Sequence, residues 1–329
     1  MTQQTLTPGR WRGLKTASSA SAKFSILAFD QRGNYRSMLP AETDFAVAAR
    51  IKREVVLALA NRVTAVLLDP IYGLDAVLGL PGSCGLIMPI EKTGYAGSAT
   101  ERKIDFMPGW DAGMIKSLGA SAVKLLVYYH PDAGAITDAV DETIRSIIAA
   151  CHQHDLPLFV EPLSYSIDEA VSASSAEFAA QRPRLVTETA RRLSQMGVDV
   201  LKLEFPVNIA FEQDEQVWHN ACAAISAASA VPWTLLSAGV DFPDFERQVT
   251  IACASGASGF VGGRAIWKEA VTMTTEARAR FLLDEGQRRL ERLSAIVERS
   301  ARAWTDFYTP MTFGEDWYGA YSAALKATP

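Results

Sequence analysis

The feature that most constrains this chain is an alternation. Eight times within roughly 250 residues, a length typical of one closed α/β barrel, a short apolar run is followed by a helix-length amphipathic segment. The strand candidates are FSILAFD (24–30), VTAVLLD (63–69), GLIMPIE (85–91), SAVKLLVYY (121–129), LPLFVEP (156–162), VDVLKLEFP (198–206), VPWTLLSAG (231–239) and ASGFVGG (257–263). Between them lie helical patterns such as TDFAVAARIKREVVLALA and ITDAVDETIRSIIAACHQ, with shorter ones from Tyr72 and over 111–118. Strands separated by helices run parallel, because only a crossover returns the chain to the same edge of the sheet. Eight such units predict an α/β fold of the closed (β/α)₈ TIM-barrel type. An open doubly wound sheet is the alternative; AFDQRGNYR stands after the first strand where that fold carries G-x-G-x-x-G.

No linker-like shift in composition divides the 329 residues. We expect an N-terminal arm (1–22), a barrel (23–310) closed by one long extra helix, EARARFLLDEGQRRLERLSAIVERS, and an aromatic C-terminal tail (311–329). A net charge of -5 argues against nucleic acid as a partner. No run of about 18 uncharged apolar residues and no apolar leader is present, so a cytoplasmic protein with no membrane partner is expected. Cys84, Cys151, Cys222 and Cys253 form no C-x-x-C pair and read as small buried hydrophobes. With four histidines and no i, i+4 pair among them, no metal and no other cofactor is expected.

In a barrel of this kind the chemistry sits at the C-terminal ends of the strands. Those ends carry Asp30 and Gln31, Asp69, Glu91, Tyr128 to His130 with Tyr129 between them, Glu161, Glu204, Ser237 and, after the eighth, Arg264. Two lysines stand out because they lie within strands. Side chains alternate along a strand, so Val200, Lys202 and Glu204 share one face while Leu201, Leu203 and Phe205 share the other. The apolar face packs on helices, which points Lys202 and Glu204 into the barrel. Burial disfavours the charged form of a lysine; lowering it by about three units, about 4 kcal/mol, yields an amine able to form a Schiff base with a ketone. Lys124, in SAVKLLVYY, is a second inward lysine whose charge would press the first further down. A structural lysine neutralised by Glu204 or Glu161 is the competing reading. Glu161, on the neighbouring strand, is the candidate proton carrier.

LLSAGV (235–240) and GASGFVGGRAIWKEA (256–270) suggest a phosphate cradle. Glycines Gly239, Gly262 and Gly263 let backbone N–H groups approach an anion, a helix N-terminus follows, and Ser237 and Arg264 add a hydroxyl and a charged fork. A tight turn with glycines kept for packing is the alternative.

AFDQRGNYR, LLDPIYG, IEKTGY, VKLLVYYHPD, FVEPLSY, DVLKLEFPV, LLSAGVDF and GFVGGRAIWKEAV, in this order, resemble the class I tagatose 1,6-bisphosphate aldolase family, which also contains sulfofructose phosphate aldolases. The resemblance spans about residues 20 to 305. It implies a Schiff-base lysine at Lys202, proton transfer by Glu161, and Lys124 and Asp30 at the reacting centre. Ser237, Gly239, Gly263 and Arg264 would hold a phosphate; strand-end position, independently of the resemblance, offers Gln31, Asp69, Glu91, Tyr129 and Glu204 as further substrate contacts. The implied reaction is cleavage of a phosphorylated ketose to dihydroxyacetone phosphate and a three-carbon aldehyde, in a homo-oligomer. Sulfofructose 1-phosphate cleavage and a catalytically silent phosphosugar-binding barrel are the alternatives. For a second anionic group the cations on hand are Arg32, Arg36, Lys92, Arg102 and Lys103. The Ser-rich stretch SIDEAVSASSAEF is expected to loop over the site, and the tail to cover its own barrel or a neighbouring subunit.

Overall fold

Each of the eight apolar runs is a strand in the computed structural model, which describes residues 3–92 and 96–326. The barrel strands are β1 (Phe24–Phe29), β2 (Ala65–Leu68), β3 (Gly85–Pro89), β4 (Ala122–Tyr128), β5 (Leu158–Leu163), β6 (Val200–Leu203), β7 (Trp233–Leu236) and β8 (Gly259–Gly262). They pair in sequence order, all parallel, and β8 closes on β1 with Gly259 opposite Phe24 and Gly262 opposite Leu27. Every residue of β1, β2, β3, β6, β7 and β8 is buried. Parallel strands have helices on one side and the barrel interior on the other, so neither face meets water.

The crossovers supply α1 (Phe45–Leu59), α2 (Leu74–Gly79), α3 (Ala112–Ser117), α4 (Ala135–Gln153), α5 (Ala176–Leu193), α6 (Glu215–Ala228), α7 (Phe242–Ala254) and α8 (Arg264–Val271). Their starts follow local chemistry. Asp111, Ser175 and Asp214 cap α3, α5 and α6 by accepting from the backbone N–H of Met114, Phe178 and Gln216, which satisfies donors that a helix leaves open.

The closing helix is not one continuous α-helix. Thr275–Phe281 and Gln287–Ser300 are joined by a π-helical turn, Leu282–Gly286. A Cβ at Gly286 would stand 3.1 Å from Leu59 Cδ2, so this turn runs close against the end of α1. The charged face has partners: Arg289 binds Glu285 and Glu269 at 2.9 and 3.0 Å, and Arg292 binds Glu246.

Both chain ends cross the barrel at the N-terminal ends of its strands. Gln4–Leu6 pairs in parallel with Tyr308–Pro310, and helix Pro8–Thr16 follows. Asp155, just before β5, accepts from the Gly9 and Arg10 N–H groups at 2.7 and 3.1 Å and from the Thr7 hydroxyl, and Tyr321 of helix Trp317–Lys326 donates to it as well. The tail therefore packs on its own barrel, at the end away from the strand C-termini. Among the described residues no helix is long and apolar enough to cross a membrane. Cys151, Cys222 and Cys253 are buried and free, and burial pushes the Cys222 and Cys253 thiols up to about 12.

Candidate active site

Alternation along β4 and β6 turns both interior lysines into the barrel, where a cavity of about 320 Å³ opens at the strand C-termini. Lys124 and Lys202 are 2% and 4% exposed. Their surroundings differ, and the difference decides what each can do. Lys124 Nζ lies 3.0 Å from Asp30, 2.8 Å from Glu91 and 2.9 Å from Glu161; it donates to the first two, while Glu161 Oε2 meets it as an ion-pair contact and accepts no hydrogen bond. Burial works against that charge, yet Asp30, Glu161 and Glu91 outweigh it and raise Lys124 well above the ordinary lysine value. Lys202 Nζ has one ionic contact, Glu161 Oε2 at 2.8 Å. Glu161 thus bridges the two lysines through a single oxygen. The sequence offered Lys124 as a cation that presses on Lys202; instead it is neutralised by its own ring of acids.

The acids are not equivalent. Burial would raise Asp30, but Lys124 and Lys202 overcome it and hold that carboxyl well below the usual carboxylate range. Glu91 goes the other way, because burial raises it and Lys124 only partly opposes; its Oε2 is buried with no hydrogen-bond partner. Between Asp30 and Glu91, it is Glu91 that its environment drives towards the neutral form.

Glu204, two residues beyond Lys202, also lines the cavity. It does not touch Lys202's charge: Ser164 donates to it from its backbone and hydroxyl at 2.7 and 2.6 Å, and Arg182 of α5 at 3.0 Å. Gln31 lines the same cavity with its Oε1 buried and unpartnered. Such an acceptor is costly unless a ligand completes it.

On the β7 and β8 side, Ser237, Gly239, Gly263 and Arg264 line the cavity together. Ala238 and Gly239 are consecutive left-handed residues, at φ 47° and 83°, a backbone shape that turns successive N–H groups towards one point and suits an anion. Gly263 N–H donates to Ser237 Oγ at 3.1 Å, which ties the two loops together. Gly239 is at a φ that favours glycine, and a Cβ there would sit 2.8 Å from the Arg264 guanidinium, so the arginine would have to shift to admit one.

Three expected contacts are not at the cavity. Asp69 follows an outward position of β2 and is fully buried against Lys52 of α1. Tyr129 lies one residue out of phase with Lys124 and Leu126; it is buried among helices, with its hydroxyl donating to Asp141 at 2.8 Å. Gly262 faces outward, where a Cβ would meet Ile266 and Phe245. Polarity near a strand end suggested them; the two-residue period excludes Tyr129 and Gly262. Of the candidate distal cations, only Arg32 reaches the cavity, with Nη2 on the Glu91 carbonyl at 2.8 Å and Nε buried without a partner. Arg36 is spent on the carbonyls of Pro40, Ala41 and Thr43. Lys92 and Lys103 pair with Asp105 and Glu101, and Arg102 covers the Tyr128 ring. In IEKTGY, Thr93, Gly94 and Tyr95 lie outside the described residues. The Ser-rich stretch forms turns such as Ser166 with Asp168 before α5 starts at Ala176.

Arg182 and Lys52 were missed. For Lys52 the signal existed: Ala48, Ala49, Ile51, Lys52, Val55, Val56 and Leu59 make up the buried stripe of α1, and a lysine in such a stripe needs a buried partner.

The DeoC/LacD family aldolase profile matches residues 24–269, which takes in every barrel strand. The chain belongs to the DeoC/LacD aldolase family. Among curated relatives, the tagatose 1,6-diphosphate aldolase of Lactococcus lactis subsp. lactis is 34% identical over 324 residues, covering 92% of this chain and 99% of the relative. Tagatose 1,6-diphosphate aldolase 1 of Streptococcus pyogenes serotype M3 (strain SSI-1) is 35% identical over 305 residues, covering 86% and 93%. Among solved structures, a Schiff base forming fructose-1,6-bisphosphate aldolase superposes with TM-score 0.59 at 20% identity, covering 87% of this chain and 98% of that one. The fructose-bisphosphate aldolase of Plasmodium falciparum gives 0.64 at 15% identity, covering 92% and 99%. At those identities the structural likeness concerns the barrel fold, while family membership rests on the profile and the curated relatives.

Proposed function

We propose that this member of the family is a class I aldolase that cleaves tagatose 1,6-bisphosphate to dihydroxyacetone phosphate and glyceraldehyde 3-phosphate through a Schiff base on Lys202. One observation carries the choice of nucleophile: of the two interior lysines, Lys124 donates to Asp30 and Glu91 and ion-pairs with Glu161 as well, whereas Lys202 has one ionic contact. That contact, Glu161, stands where a base must stand to take the proton that Lys202 sheds before attack. The substrate follows from what the curated relatives are named for.

In this reading the phosphate on C1 rests on the Ala238–Gly239 turn, the Gly263 backbone and Arg264. Lys202 Nζ adds to the C2 ketone; the carbinolamine oxygen takes up protons and leaves as water, giving a protonated imine. That imine accepts the electron pair as the C3–C4 bond breaks, while Glu161 takes the proton from the C4 hydroxyl and the aldehyde departs. The resulting enamine is protonated at C3, and water hydrolyses the imine to release dihydroxyacetone phosphate and free Lys202. Lys124 fixes Glu161 and stabilises oxyanion character, Asp30 holds Lys124 in place, and Gln31 Oε1 supplies an acceptor for a sugar hydroxyl.

Borohydride added with dihydroxyacetone phosphate is expected to leave a reduced adduct on the peptide that contains Lys202, and chelators should leave turnover unchanged. A Lys202→Ala protein that still cleaves the sugar sinks the mechanism. Assaying tagatose 1,6-bisphosphate, fructose 1,6-bisphosphate and sulfofructose 1-phosphate side by side tests the substrate; preference for the sulfonate would reassign it while leaving the Schiff base intact.

A further inference from the structure

A third interior lysine lies outside the cavity. Lys52 of α1 is completely buried, as is Asp69 after β2, and the catalytic scheme uses neither. Lys52 Nζ donates to the carbonyl of Phe29 at 2.7 Å, to that of Gln31 at 3.0 Å, and to Asp69. The two carbonyls flank Asp30. Asp69 in turn accepts from the N–H groups of Ile71 and Tyr72 at 2.9 and 2.8 Å through its other oxygen, so the ion pair ties the end of β1 to the loop after β2. The rings of Phe29, Tyr35 and Tyr72 lie around the ammonium, the nearest centroid at 4.4 Å, which closes the pair off from water.

Resting on the aldolase reading above, we infer that Lys52 and Asp69 are positioning residues for the reacting centre: from behind the barrel wall they fix the peptide that carries Asp30 and Gln31. The chain of contacts is short. Lys52 holds the carbonyls on either side of Asp30, Asp30 holds Lys124 at 3.0 Å, and Lys124 holds Glu161 at 2.9 Å, the group that faces Lys202. The same peptide aims Gln31 into the cavity, where its Oε1 is unpartnered. Three acceptors around one nitrogen require an ammonium, because a neutral amine has only two N–H bonds. Burial lowers Lys52 from the ordinary lysine value and Asp69 opposes that; losing the carboxylate therefore also threatens the third donor.

A buried ion pair is a poor way to gain stability, since apolar replacements of similar volume are often neutral or stabilising. That separates positioning from simple stabilisation. The full-length protein and three variants, Lys52→Met, Asp69→Asn and the double Lys52→Met/Asp69→Leu, are compared by thermal melting, steady-state kinetics and borohydride trapping with dihydroxyacetone phosphate. In the double variant the melting temperature should return towards wild type, with kcat still down by about tenfold to a hundredfold, KM within about threefold and the Lys202 adduct still formed. Should the double variant not fold, the isosteric Asp69→Asn protein carries the test, with the same split between kcat and KM. A double variant, or failing it an Asp69→Asn protein, with kcat within about twofold of wild type overturns the inference. Absence of an adduct in the wild-type protein would instead overturn the aldolase reading.

Discussion

At the scale of single residues, the active centre is an electrostatic sorting of two similar lysines. Both are buried and both sit on inward strand positions, yet one has three acids and the other has one. Replacing Lys124 by Met should therefore be costly in two ways: leaving Asp30, Glu91 and Glu161 uncompensated should cost about 3–5 kcal/mol in urea unfolding, and kcat should fall by about a hundredfold or more as Glu161 loses its anchor. The acids give opposite pH signatures. Asp30 is depressed in the folded state, so its contribution to stability is present above the unfolded carboxylate value of about 3.9 and disappears as pH falls through its lower folded value. Glu91 is raised, so its contribution is present below its unfolded value of about 4.3 and is lost as pH rises through the folded value. Glu91→Gln should consequently hold or gain stability at pH 7, whereas Asp30→Asn should lose it. An Asp30→Asn loss that is as large at pH 2 as at pH 7, or a Glu91→Gln loss at pH 7, would contradict this assignment.

At the scale of elements, the site depends on where strands stop and helices begin. The turn after β7 puts two left-handed residues in a row, and the helix that follows β8 begins at the arginine they face. Adding one methyl at Gly239 should push on Arg264 and penalise the backbone by roughly 1–2 kcal/mol. We expect Gly239→Ala to raise KM for the phosphorylated sugar about tenfold or more and to lower the melting temperature by a few degrees; unchanged KM would remove this turn from the phosphate site. The opposite end of the barrel shows how elements are fastened. Asp199, just before β6, is fully buried, with Arg10 at 2.6 Å and the Leu158 N–H at 2.8 Å. Burial would raise its carboxyl, but Arg10 and His152 outweigh that and lower it. The arm is accordingly held at all pH values above the ordinary carboxylate range and released as pH falls below about 3.9 through the lower folded value. Hydrogen exchange of Gln4–Thr16 should rise over that window, and Arg10→Ala should shift the rise to higher pH.

At the scale of the whole molecule, chemistry and fastening sit at opposite ends. The cavity opens at the strand C-termini, while the arm, the Tyr308–Pro310 strand and helix Trp317–Lys326 gather at the N-termini. Removing residues 311–329 should therefore lower the melting temperature by a few degrees, about 2–4 °C per kcal/mol lost in a chain of this size, and leave kcat within about twofold. A collapse of kcat with an unchanged melting temperature would mean that the tail reaches the site.

Local pattern was enough to determine the eight strands, the barrel and the inward face of DVLKLEFPV. Period-two alternation and crossover length are properties of neighbouring residues, so Lys202, Lys124 and Glu161 could be read as interior groups before any coordinate was known. The same rule, applied one residue more strictly, would have turned Tyr129 and Gly262 outward. What the chain order could not contain was partnership between distant segments. Lys124 meets Asp30 across 94 positions and Glu91 across 33; strand pairing with β3 sets the second distance, and the curling of the sheet into a barrel sets the first. The charge on each buried group depends on its partners more than on its own type. For that reason tertiary structure alone revealed that Lys124 is ringed by three acids while Lys202 meets one, and moved Asp69 from the cavity to the back of the wall beside Lys52.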